Sequence, residues 1–123
     1  MVTQWLAVGA GAALGAWIRW GLGIALNASI LPLGTLLVNL GGGFLMGMAL
    51  AYFVATPTQN ELRLFIITGF LGGLTTFSAF SAEAFGLLHR QEYAWAGAHI
   101  LSHVLGSLLM TALGFWLFNA LRH

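Results

Sequence analysis

Cysteine, lysine and aspartate are all missing from this sequence. Without cysteine there is neither a disulfide framework nor a thiolate metal site. Without lysine, and with four arginines only, no basic patch exists to meet phosphates, which argues against a nucleic-acid binder. Acid is as scarce, at three glutamates, so charged residues make up 6% of the 123, where an ordinary soluble domain has roughly 25%. Hydrophobic residues fill 59% of the chain, and 17 glycines raise the non-polar share further. A chain this short has too little interior to bury that much apolar surface. The surplus must face something other than water, and a bilayer is the natural solvent for it. The arithmetic argues equally against a soluble enzyme and a stapled secreted domain.

A spanning helix needs about 20 mostly apolar residues. The few charges punctuate the chain into four such stretches, at about 4–26, 33–55, 62–88 and 93–121. The segment from Asn27 to Pro32 reads as a turn. Thr56 to Glu61 reads as a loop, with Pro57 stopping the helix before it. His89-Arg90-Gln91-Glu92 separates the last two spans. The expected fold is all-α: one domain over residues 1–123, made of four transmembrane helices. The first residues lack the positive flank of a signal peptide, so the first span is expected to be retained. No internal repeat relates the halves.

Cytoplasmic loops usually carry the excess of lysine and arginine. With four spans, Arg63 and Arg122 share one side, and Arg90 the other, joined there by Arg19 if that residue reaches its interface. Two against two gives no orientation. Either Arg19 is intramembrane and a weak bias remains, or the chain inserts both ways and pairs with an inverted copy. Gly11 and Gly15 are four apart, as are Gly43 and Gly47. Small residues at that spacing let helices approach closely in lipid, within one chain or between two.

Polar groups inside apolar spans are expensive and therefore candidates for function. Arg19 either snorkels to the interface or raises the anion concentration of a vestibule. Glu83 is the only acid inside a predicted span; it reads as a proton-coupling carboxylate, as a partner for Arg19, or as a helix-end group. Asn39 lies mid-span with Thr35 one turn before it, and in hydrocarbon its amide must find partners. His99, His103, Ser107 and Thr111 follow at intervals of four, on one slowly drifting stripe. The two histidines have a metal-compatible spacing, but no carboxylate or thiolate is expected to join them, so a metal site is not expected there. A polar strip along a water or ion path, or a row of interhelical hydrogen bonds, is the expected reading.

The third span carries the densest signal, Gly69-Phe70-Leu71-Gly72-Gly73-Leu74-Thr75-Thr76-Phe77-Ser78-Ala79-Phe80-Ser81. Two glycines and then two threonines at mid-bilayer predict a break. Non-helical backbone is tolerated at that depth only when buried in protein or lining a cavity. Carbonyls freed there are able to coordinate a hard cation. Phe77 and Phe80, three apart, share a helix face just after it.

The run from Gly72 to Ser81 resembles the signature of the small fluoride channels, the Fluc or CrcB family. Gly34-Thr35-Leu36-Leu37-Val38-Asn39 and Gly15-Ala16-Trp17-Ile18-Arg19-Trp20 resemble it too, in the expected order and over essentially the whole chain. The resemblance implies an antiparallel, dual-topology homodimer in the bacterial inner membrane that exports fluoride passively through two pores. It makes Phe77 and Phe80 the pore phenylalanines and Asn39 the pore asparagine. Ser78, Ser81, Thr111 and Ser107 become the polar track, with His103 where some members carry tyrosine. Arg19 and Glu83 fall at the two vestibules with Thr35. The Gly72 and Thr75 carbonyls become ligands of a structural sodium ion on the dimer axis. Ala79 stands where a hydroxyl residue is common, which removes one donor. A phenyl edge is electropositive, and amide and hydroxyl groups donate hydrogen bonds, so such a path can replace fluoride's water without a trapping charge.

Small multidrug-resistance transporters are also short, four-spanning and able to insert both ways. They use a glutamate in the first span, where this chain has none. A non-transporting assembly protein would need the glycine faces only.

Overall fold

Away from water, a run of apolar residues satisfies its own backbone by coiling. The computed structural model describes residues 1–28, 30–57 and 60–122. Ser29 and Thr58-Gln59 of the two expected loops, and His123, lie outside the described residues. Helix α1 runs Val2–Leu26 and α2 runs Leu33–Ala55. The third stretch is composite: a turn α3 (Asn60–Arg63), a π-helix over Leu64–Leu71 and a turn α4 (Gly72–Leu74). After an interruption come α5 (Phe77–His89) and α6 (Tyr93–Arg122). The described residues contain no strand.

Among the described residues three stretches are long and apolar enough to cross a membrane: Leu33–Ala55, Asn60–His89 and Tyr93–Arg122. Helix α1 is as long as α2, but Arg19 and the tryptophans at 5, 17 and 20 lower its hydropathy. The outer faces are apolar: Trp5, Trp17, Phe85 and Trp116 are all exposed.

The interruption falls at Thr75 and Thr76, whose backbones are extended (φ −87°, ψ 159° and φ −152°, ψ 119°). The two glycines before them remain helical. Thr76 restarts the chain as the N-cap of α5, its hydroxyl accepting from the Ala79 N–H at 3.0 Å, which satisfies one of the donors a helix start leaves open. Unlike this break, the π-helix before it was not expected. Leu64–Leu71 is apolar almost all round, so its sequence shows no periodicity that separates one helix type from another.

Glycine contacts decide the packing inside the chain. A Cβ on Gly15 would lie 2.6 Å from the Leu74 nitrogen, and one on Gly11 2.7 Å from the Phe70 nitrogen. Gly43 and Gly47 are pressed likewise against Ser107, Thr111 and Phe115 of α6. Both glycine faces are therefore used within one chain: α1 lies along the π-helix and α4, and α2 along α6. A core of Val38, Ala49, Phe53, Leu71 and Leu74 sits where α2 meets the third stretch.

Candidate functional site

Asn39 organises the break. Its Oδ1 accepts from the Thr76 N–H at 2.8 Å, and its Nδ2 donates to the Thr76 carbonyl at 3.0 Å. Backbone that has left the helix thus finds both an acceptor and a donor on one side chain of α2. The same Nδ2 donates to His103 Nδ1 at 3.0 Å. Because Thr76 fixes which end of the amide is which, His103 Nδ1 accepts, and the neutral ring carries its proton on Nε2. His103 Nε2 and Glu83 Oε1 are the buried side-chain atoms left without a hydrogen-bond partner among the described residues.

A cavity of about 340 Å³ opens beside this junction. Its wall includes Asn39, Thr75, Thr76, Phe77, Phe80, His103, Ser107 and Thr111, and it contains no arginine or glutamate. The Phe77 and Phe80 rings meet at 5.5 Å and 60°. Phe80 is buried against the His103 and His99 rings, at 4.6 and 5.2 Å. Phe77 is 78% exposed, so one side of the cavity is open. Thr111 donates to the Ser107 carbonyl at 2.9 Å. Ser78 and Ser81 are exposed on α5 and stand outside the cavity wall, Ser78 lying 3.4 Å from the Thr76 hydroxyl.

On the other side of Thr76 is a second cavity, about 350 Å³, whose wall includes Arg19, Asn27, Thr35, Thr76 and Glu83. Arg19 and Glu83 share it without pairing. Arg19 Nε donates to the Gly73 carbonyl at 3.0 Å, holding the chain just before the break. Glu83 Oε2 accepts from the buried Thr35 hydroxyl at 2.7 Å. Thr35 in turn accepts from Asn27 Nδ2 at 3.1 Å, and Asn27 Oδ1 accepts from the Gly34 and Thr35 N–H groups that open α2. Of the readings open for Glu83, partnership with Arg19 and a helix-end role are both set aside. It sits mid-helix in α5, tied to α2 and facing α6.

The expectation that no acid joins the two histidines is also corrected. Glu83 Oε1 lies 3.6 Å from His99 Nε2, because α5 folds back against α6. Two further residues belong to the site, His99 and Asn27. The stripe from His99 to Thr111 pointed to the first, whereas Asn27 looked like turn chemistry and no local pattern ties it to Glu83. Thr76 stood inside the third-span signal, but its backbone role depends on Asn39, 37 residues away.

Near Thr75 the cation question is one of oxygen donors. Among the described residues no hydrogen bond reaches the Thr75 carbonyl, and Gly72, at the start of α4, is exposed. Carbonyl oxygens are what a hard monovalent or divalent cation takes, so the residues present fit one.

Residues 6–115 match the family described as CrcB-like protein, Camphor Resistance (CrcB). A protein of Aromatoleum aromaticum named fluoride-specific ion channel FluC is 56% identical over 120 residues, 95% of this chain and 92% of its own. One of the same name from Nitrosospira multiformis is 60% identical over 111 residues, 88% and 87% of the two chains. Another, from Pseudomonas aeruginosa, is 56% identical over 117 residues, 93% and 92%. With a family match from residue 6 to 115 and likeness to these relatives along nearly all of its length, the chain belongs to the CrcB family.

Proposed function

We propose that this protein is a fluoride-selective channel, not an enzyme, that lets fluoride leave the bacterial cell passively across the inner membrane. The observation that carries the reading is the neutral cavity at the helix break: two phenyl rings, hydroxyl side chains, an amide and one imidazole ring line it, and no full charge does. Fluoride entering there exchanges water for weak donors, enough to hold the ion and too little to trap it. Asn39 spends both amide hydrogens on Thr76 and His103. Its part is therefore to hold the path open. The name borne by the relatives supports the choice of ion.

In this reading the chain spans four times, α1 included, and works as an antiparallel, dual-topology homodimer with two pores. The exposure of Phe77 supports it, since a second copy would close the open side of the cavity. So does the even division of the arginines. The Gly72 and Thr75 carbonyls of both copies would hold the structural sodium ion, which supplies positive charge and ties the two breaks together. Arg19, at the Gly73 carbonyl, keeps the backbone beside it in place.

The test is fluoride efflux from liposomes loaded with potassium fluoride, with valinomycin carrying potassium. Rapid efflux without a pH gradient is expected, and it disappears in Phe77→Ile and Phe80→Ile. Flux that needs a proton gradient, or full flux in either well-folded variant, overturns the proposal.

A further inference from the structure

We propose that Glu83, His99 and His103 form a binding site for a late first-row divalent metal ion, zinc(II) above all, and that its occupation closes the fluoride path. The second half rests on the channel reading; the first does not. One ligand atom from each of the three residues lies within 4.8 Å of the other two. Bond lengths of about 2.0 to 2.2 Å to nitrogen and oxygen place neighbouring donors of a tetrahedral zinc site about 3.3 Å apart. Glu83 Oε1 and His99 Nε2, at 3.6 Å, nearly have that spacing already.

The donors suit the ion. Two imidazoles and one carboxylate are the mixture that zinc and its neighbours take, and the set lacks the many oxygens that calcium or sodium needs. Both histidines are more than nine-tenths buried. His103 Nε2 and Glu83 Oε1 point into the cluster with no hydrogen-bond partner among the described residues. In lipid such orphaned polar atoms are costly, and a shared metal ion would satisfy both at once. Metal ligands are usually held by further hydrogen bonds, and here Glu83 Oε2 is fixed by Thr35, itself fixed by Asn27. Glu83 also walls a cavity that reaches Arg90 near the α5–α6 turn, about 270 Å³ in volume, which gives a hydrated ion a way in.

Occupation and conduction exclude one another for a reason of proton placement. In the metal-free protein His103 accepts at Nδ1 from Asn39 and carries its proton on Nε2. His99 carries its own on Nε2, facing the Phe80 carbonyl at 3.3 Å. A metal ion takes the Nε2 lone pairs, and each ring proton moves to Nδ1. His103 Nδ1–H then faces the Asn39 Nδ2 donor, and the hydrogen bond between them is lost. The ion thus unfastens the asparagine that holds the break.

The purified full chain in detergent is titrated with cobalt(II), whose visible spectrum reports four-coordinate binding, and separately with zinc(II) in competition. One ion per protomer is expected, with roughly 100-fold weaker binding in His99→Gln and in Glu83→Gln, and unaltered binding in His89→Gln. The same proteins in fluoride-loaded liposomes give the second readout, the ratio of efflux rates with and without zinc(II). That ratio falls roughly tenfold in the parent, recovers with chelator, and stays near one in both variants. Should one variant fail to fold, the other decides. An absent four-coordinate cobalt spectrum, or binding retained in a folded variant, overturns the site whatever the flux. Binding without slowed efflux in a conducting protein overturns the closure.

Discussion

Removing the Asn39 amide is the sharpest perturbation of this fold. Asn39→Ala deletes three hydrogen bonds, two to Thr76 and one to His103. Interhelical side-chain bonds in membranes average about 0.6 kcal/mol each, which for three gives about 2 kcal/mol. The Thr76 N–H has no second acceptor among the described residues, and an orphaned buried donor costs about 1 to 3 kcal/mol. The expected loss is thus about 3 to 5 kcal/mol. It is read from reversible unfolding of the purified protein in mixed micelles with increasing SDS. A double-mutant cycle with His103→Ala isolates the one bond between those side chains, and its coupling should be about 0.6 kcal/mol. Fluoride efflux should fall as well, because Thr76 then has no side chain to hold it in its extended conformation. If Asn39→Ala unfolds with the parent's free energy, the clasp does not hold the break and the reasoning fails.

Three further outcomes follow from local geometry. Thr76→Val removes the cap on Ala79 and should cost about 1 kcal/mol in the same titration, while Thr76→Ser should keep most of it. Gly15→Ala should prevent a monodisperse chromatographic peak, since its Cβ would sit 2.6 Å from the Leu74 nitrogen; Gly9→Ala meets nothing within 4 Å and should behave as the parent. Gln91 holds a left-handed turn at φ 61° between α5 and α6, so Gln91→Gly should raise stability by about 1 kcal/mol and leave fluoride efflux unchanged. A lower unfolding midpoint in Gln91→Gly would contradict that account.

Composition alone determined that this chain folds as apolar helices. Seven charges cannot keep 123 residues with 59% hydrophobic content in water, and unaided backbone in hydrocarbon must coil. Helix limits at 33–55 and at residue 93 were legible because charge, proline and turn residues act locally. The break was legible for the same reason, although it falls on the threonines and not on the glycines. What only the tertiary structure decided are the contacts between distant residues. Asn39 meets Thr76 across 37 positions and His103 across 64, and no pattern within one helix encodes either. The glycine faces read equally as contacts within or between chains, until packing pressed them against α6 and against the π-helix and α4. Glu83 reads alone as a lone acid; folded, it closes on two histidines, because α5 turns back on α6 at a three-residue joint. Local physics sets where helices start and stop. Which of their few polar groups meet is set by how the helices pack.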